Sequence, residues 1–368
     1  MMSVREWELS KNMVAKINAN RGDVAEALMG AAVCATFATR PHVTITVAHI
    51  DTYLDRVLKQ ANFSDSFNVK NIKTKVEDRI TFSISLPAKA LAFIKEPNNR
   101  KLVKDLYDST LSYVNGNRNL QVKAAELYED NNPNDIVVSS AGTLNQKGTK
   151  ADITVLIDGK KQTKQISLKV AGGDQFAQFG GANWETQLTL FTVSLGLDIS
   201  SAKQQFNKEL ESYDADARFT DRGESTKNMI AYLKKAAKIS YTAAAKSMET
   251  KINDANFKKT LAEFIRKGAT LNDPDIELVK LGGGLAKSQS FEDQFNSTVQ
   301  SMDLSVRLST SGDPAIFINA SVMGKTGPLI QIRAKFESPS STSRSGKTYS
   351  TYMRNYIEAP TKSLLYLI

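Results

Sequence analysis

Four residues offer the plainest chemistry in this sequence: Glu26, Asp152, Ser167 and Lys169. Asp152 to Ile157, then Asp158-Gly159, then Thr163 to Val170 read as a β-hairpin, because two extended runs flank an Asp-Gly turn signal. Along the second run Ile166, Leu168 and Val170 point one way while Ser167 and Lys169 point the other. If the connection is the four residues Asp158 to Lys161, Ile157 faces Gln162, and counting outward sets Asp152 opposite Ser167 and close to Lys169.

Such a cluster has definite uses. Asp152 can hold a divalent cation, and the main-chain carbonyl of Leu168 can add an oxygen ligand. The cation polarises a scissile phosphate and makes an attacking water more acidic. Lys169 can position that water, neutralise charge developing on the phosphate, or act as the base, and the spacing alone does not choose among these roles. A cross-strand ion pair on a solvated face is the competing explanation of the same residues.

A second carboxylate comes from far upstream. The segment Val24 to Ala38, VAEALMGAAVCATFA, has Glu26 as its only charge amid small and apolar residues, so it predicts a largely buried helix. A partly buried carboxylate needs a partner, either a metal or a cation such as Arg21. Cys34 in the same helix reads as a small buried residue.

The whole chain narrows the options. Its 368 residues, 41% hydrophobic, suffice for one large or two ordinary domains with real cores. No run approaches the length of a membrane span and Met1 to Glu8 shows no signal core, so a non-membrane, non-secreted protein is expected. One cysteine excludes an internal disulfide and a cysteine-built zinc site, and two histidines are too few for a histidine-rich one. A metal held by side chains would therefore sit among carboxylates, which favours magnesium or manganese. The net charge of +9 is compatible with a polyanionic partner.

These segments together resemble the PD-(D/E)xK nuclease superfamily, in particular its phage-associated members. Arg21 to Leu28 looks like the N-terminal helix whose glutamate helps bind metal, Gly148 to Ile153 like the segment with the metal-binding aspartate, and Ile166 to Val170 like the (D/E)xK strand. The 17-residue step from Asp152 to Lys169 fits that core. The resemblance implies an α/β fold of restriction endonuclease-like type, with a mixed central sheet flanked by helices, a helical insertion and a strand-rich C-terminal region. It also implies a metal-dependent endonuclease that hydrolyses DNA through activated water and leaves a 5′-phosphate, with Mg2+ or Mn2+ held by Glu26, Asp152 and the Leu168 carbonyl. The segment Gly172 to Gly181 resembles the glutamine-containing stretch after the lysine strand, which implies that Gln175 or Gln178 touches phosphate or water on the metal. Two positions depart from the pattern. Ala151 stands where the family has proline, and Ser167 replaces the usual second acid, a poorer cation ligand. The alternative implied by Ser167 is a catalytically inactive DNA-binding or assembly protein that retains the fold. A cytoplasmic setting in a bacterial or phage-infected cell follows from the same resemblance.

The supporting elements fall into three stretches: a nuclease-like core over 1–200, a basic helical region over 201–270 and a strand-rich accessory region over 271–368. Helical spacing covers Gly22 to Ala38, Asp51 to Gln60, Asn99 to Val114, Asn183 to Leu195, Ser201 to Glu211 and Thr226 to Lys267, with a break near Asn253 to Asn256. Extended runs are expected at Arg79 to Leu86, Ile136 to Val138, Asp303 to Leu308, Ala315 to Ala320, Leu329 to Phe336 and Ser363 to Ile368. Thr226 to Gly268 holds ten Lys or Arg against three Asp or Glu, which suits phosphate contact or a solvated helix face equally. Gln331, Arg333 and Lys335 alternate with Ile330, Ile332, Ala334 and Phe336, so one face would be basic and the other packed; DNA contact and a homodimer-stabilising sheet are the two explanations. Pro274 to Lys280 imitates the nuclease motif, but Asp275 and Lys280 are too close to occupy two hairpin arms.

Overall fold

The computed structural model describes residues 21–60, 68–77, 79–87, 93–94, 96–129, 135–140, 151–158, 160–170, 174–180, 189–211, 224–271, 273, 275–337 and 352–368. The polar run Glu129 to Asn134 and the serine-rich run Ser338 to Lys347, whose composition predicts loops, fall mostly or wholly outside these residues, as do Gly148 to Lys150. The chain is a mixed α/β protein in two interleaved units, one formed by Met1–Ala171 with Asp273–Ser290, the other by Gly172–Asn272 with Phe291–Ile368. The linear division at 200 and 270 differs from this partition: residues 172–200 belong to the second unit, and 273–290 return to the first.

Elements are numbered in chain order. The first unit contains helices α1 (Arg21–Ala38), α2 (Val47–Gln60), α3 (Arg100–Gly116) and α4 (Arg118–Glu129). Its sheet has seven strands, β1 (Asn68–Glu77), β2 (Ile80–Pro87), β3 (Ile136–Ser140), β4 (Ile153–Ile157), β5 (Lys160–Val170), β7 (Ile276–Gly282) and β8 (Leu285–Ser290), paired in that order. Pairing is parallel between β2 and β3 and between β5 and β7, and antiparallel elsewhere. The sequence of α1 explains its place. With small apolar residues around its circumference it has no polar face to offer water, and residues Ala27 through Phe37 are all buried. Gly30 brings it close to the sheet: a Cβ there would lie 3.0 Å from the Phe82 ring and 3.0 Å from the Ser140 Cβ. Phe82 and Val138 under the helix and Ile153, Val155 and Ile166 further along the sheet continue the same core.

The second unit has an antiparallel five-stranded sheet in the order β6 (Asp174–Gly180), β12 (Tyr352–Ala359), β11 (Lys325–Glu337), β10 (Ala315–Val322), β9 (Leu304–Ser309). Its helices are α5 (Ser200–Glu211), α6 (Glu224–Glu249), α7 (Ala255–Thr270) and α8 (Asp293–Ser301). The break expected between the two long helices is real: the Asp254 carboxylate caps α7 by accepting from the Asn256 and Phe257 amides at 2.9 and 3.0 Å. Helices pack on one face of the sheet. The Tyr241 hydroxyl donates to Asn355 Oδ1 at 2.7 Å, and the Phe179 and Phe264 rings stack with centroids 5.8 Å apart.

Two local expectations are corrected. Ser363 to Ile368 is no edge strand: Leu364–Leu367 is a 3-10 turn, started by the Ser363 hydroxyl accepting from the Leu365 amide at 3.0 Å. Of the helix expected over Asn183 to Leu195, the described part is a π-helical turn, Leu190–Ser194, closed at Gly196 with φ +61. Val43 to Ile50, whose pattern suits either a strand or the start of a helix, turns helical from Val47.

Candidate active site

The β4–β5 hairpin reaches the expected register by an unexpected route. Ile157 pairs with Lys160 and not with Gln162, a tight turn in which Asp158 takes a left-handed φ of 49. An irregularity then skips Gln162 and Thr163, so that Ile153 pairs with Ile166. The two deviations cancel. Asp152, one residue before β4, comes to Ser167 as the residue count requires, and its amide donates to the Ile166 carbonyl at 2.7 Å.

The Asp152 carboxylate accepts from the Leu168 amide at 2.5 Å, and the Ser167 side chain is near enough to help hold its pKa down. Lys169 Nζ donates to Ser167 Oγ at 2.9 Å and to the Leu168 carbonyl at 3.0 Å. Ser167 is 3% exposed, so its hydroxyl accepts from the lysine inside the protein, beside the aspartate. Burial raises the Asp152 pKa above its ordinary value, against the opposing pull of Lys169, the Leu168 amide and Ser167.

Glu26 joins the group electrostatically. Burial first, then the charges of Asp152 and Asp23, push its carboxyl up to about 8, while Lys169 pulls it down. The charges of Asp152 and Lys169 both act on this carboxyl, with burial the larger influence. Its backbone is anchored as well, since Ser140 Oγ donates to the Glu26 carbonyl at 3.0 Å, one helical turn from the Gly30 contact. The hairpin thus brings Asp152, Ser167, Leu168 and Lys169 together in the first unit, and Glu26 lies within electrostatic reach of Asp152 and Lys169. Gln175 and Gln178 belong to β6 of the second unit, are exposed, and hydrogen-bond to each other at 3.2 Å.

The donors are all oxygens: two carboxylates, a carbonyl and a hydroxyl. Such a set would suit a hard cation, and magnesium commonly takes one or two carboxylates and completes its shell with water and substrate phosphate. The coupling of Glu26 with Asp152 and Asp23 is of the kind a dication would relieve. Among the described residues, no group of three or more His, Cys, Asp or Glu is gathered to hold an ion.

Sequence reasoning overlooked two features of this region. Asp23, buried one turn before Glu26, adds to the negative field there. The segment set aside as a motif imitation forms β7, the parallel neighbour of β5, with Lys280 beside Lys169. From it Glu277 is 6% exposed and takes an ion pair from Lys164 at 2.5 Å, a hydrogen bond from the Tyr113 hydroxyl at 2.8 Å and another from Asn117 at 3.3 Å. A buried carboxylate satisfied by three side chains is a structural tie between β5, β7 and the helices above them.

The chain matches no protein-family model, no curated protein and no solved structure. Among the described residues no helix is long and apolar enough to cross a membrane.

Proposed function

We propose that the first unit is a restriction endonuclease-like core related to the PD-(D/E)xK nucleases, and that it hydrolyses DNA phosphodiester bonds with the help of a divalent metal. The observation that carries this reading is the cluster of Asp152, Ser167 and Lys169 on one hairpin, whose charges act on the Glu26 carboxyl of a buried helix. Glu26, Asp152 and the Leu168 carbonyl would hold magnesium or manganese, which when bound supplies Lewis acidity toward the phosphate and a more acidic water. Lys169, held by Ser167 Oγ, brings a positive charge to where negative charge develops on the phosphate, and can orient the attacking water. Asp152 keeps its acceptor orientation through the Leu168 amide, and Ser167 holds the lysine on the same face of the hairpin. Gln175 and Gln178 would offer exposed amides to the substrate.

One observation favours a second reading, a DNA-binding protein that keeps the fold without catalysis. Ser167 supplies a hydroxyl where a second acid would sit, and the Leu168 carbonyl is already engaged by Lys169. Incubating the full chain with supercoiled, linear and branched DNA, with magnesium, manganese or EDTA, separates the two. The nuclease reading expects metal-dependent cleavage with 5′-phosphate ends, lost in Asp152→Ala and strongly reduced in Lys169→Ala. Binding without cleavage across all substrates establishes the second reading, and cleavage unchanged in Asp152→Ala overturns the site.

A further inference from the structure

The sheet of the second unit has a face that the helices do not explain. Directly opposed residues on neighbouring strands share a face, so the pairing register lays out its composition in rows. One row runs Arg307, Phe317, Gln331, Glu358, Gln175 across all five strands. The next contains Arg333, Tyr356 and Gln178, and the third contains Lys335 and Arg354. The opposite face carries Asn355 and Phe179, the residues that meet helices α6 and α7. Among the described side chains, these rows set four cations against the single carboxylate of Glu358. That carboxylate is consumed locally, by a forked contact with Arg333 at 2.7 and 3.1 Å.

The two described aromatic rings on this face, Phe317 and Tyr356, are already covered. The Arg307 guanidinium lies 3.9 Å from the Phe317 centroid, and Lys335 and Arg333 lie 5.2 and 5.7 Å from that of Tyr356, which is itself 5% exposed. A ring stacked under a cation is a platform for that cation and has no free face for a nucleobase. The Arg307 guanidinium, held flat this way, turns its edge N–H groups outward, whereas those of Arg333 go to Glu358. Arg307, Gln175 and Gln178 are exposed, and Lys335, Arg354 and Gln331 are half-buried, so the face mixes cations with amides and presents no large apolar anchor. Strands about 4.8 Å apart and rows about 7 Å apart put Arg307 and Arg354 roughly 20 Å from each other across the sheet. A partner that meets both must carry negative charge over that length.

We propose that this face is the docking surface for the phosphodiester backbone of a nucleic acid strand, with Arg307, Lys335 and Arg354 contacting phosphates and Gln175, Gln178 and Gln331 lying along the path. Binding here is independent of base sequence, since cations and amides meet the backbone and neither of the described rings is open to stack. The inference rests on the nuclease reading for the choice of nucleic acid among polyanions, and gives its substrate a holding surface on the second unit.

Fluorescence anisotropy tests it with the full chain in EDTA, using mixed-sequence DNA and RNA oligonucleotides, single-stranded and duplex, between 50 and 200 mM salt. Removing two phosphate contacts in Arg307→Gln/Arg354→Gln should flatten the salt slope by about 1.8 for duplex DNA, so that the 50 to 200 mM step costs roughly twelvefold less affinity than in the wild type. Arg307→Lys/Arg354→Lys should restore most of the slope. If the glutamine pair lowers the melting temperature, Lys335→Gln alone should still flatten the slope by about 0.9. Wild-type affinity and slope in all these variants overturns the proposal and leaves the face to a different partner; binding confined to one base sequence overturns it too. Asp152→Asn separates the two proposals. It should bind as the wild type does whatever becomes of cleavage, whereas cleavage by a protein whose sheet variants bind normally removes the docking surface and leaves the nuclease site standing.

Discussion

Replacing Glu26 with glutamine should stabilise the protein by an amount that grows with pH. In the folded chain this carboxyl titrates at about 8 against an ordinary value of 4.5. The sign follows from proton linkage: between these values the folded state binds more protons than the unfolded state, so stability falls as pH rises. The favourable protonated form is fully present below the unfolded value, and its contribution is lost progressively until the folded group ionises near pH 8. Each pH unit in that window is worth about 1.4 kcal/mol, so the cost approaches about 1 kcal/mol at pH 5, about 3 at pH 7 and about 5 at pH 9. Glutamine keeps the size of the side chain and removes the ionisation. Urea denaturation of the wild type and Glu26→Gln at pH 5, 7 and 9, in EDTA, should give near-equal stabilities at pH 5 and a variant ahead by several kcal/mol at pH 9. A difference that stays flat across this range would refute the placement of Glu26 beside Asp152 in a desolvated pocket.

Three further outcomes follow from the same geometry. Manganese at saturating concentration should raise the melting temperature of the wild type and move that of Asp152→Asn much less, because binding to the folded state alone stabilises it; equal shifts place the ion elsewhere. Gly30→Val should cost about 1 to 3 kcal/mol of folding stability, since its Cβ would press at 3.0 Å on the buried Phe82 ring and Ser140 Cβ. Denaturant midpoints measure this, and a neutral result means that α1 sits further from the sheet. Glu277→Ala strands Lys164 and the Tyr113 hydroxyl in a largely buried setting and should cost about 3 to 5 kcal/mol, read from the same titration; a loss below about 1 kcal/mol would show that the tie is wet.

The parts of this fold that could be read from sequence are those fixed by local pattern. A helix with one charge among alanines declares its burial, and Glu26 is conspicuous in it because nothing else there can do chemistry. The hairpin register was reachable because side chains alternate with period two, even though the tight turn and the skipped pair Gln162 and Thr163 could not be counted from composition. Strand β7 was hidden for a different reason. Parallel partners are joined by long crossovers, and here more than a hundred residues separate Val170 from Ile276, so neither strand's periodicity names its neighbour. The same blindness explains why Glu277 was passed over and why the division into units follows space and not sequence. Strands β6 and β12 pair across the chain in the same way, and only their register shows that Gln175 and Gln178 share a face with Arg333, Lys335 and Arg354.

The central claim is that Asp152 serves the hydrolysis of a phosphodiester bond. Supercoiled plasmid and protein, mixed in magnesium or manganese, give the direct measurement when wild type and Asp152→Asn are compared under single-turnover conditions. Asparagine is nearly the same size as aspartate but carries no charge for a cation, so the account predicts relaxed or linear DNA from the wild type and at least a hundredfold slower conversion by the variant, about 2.7 kcal/mol or more in the barrier. Equal rates for the two proteins would contradict it.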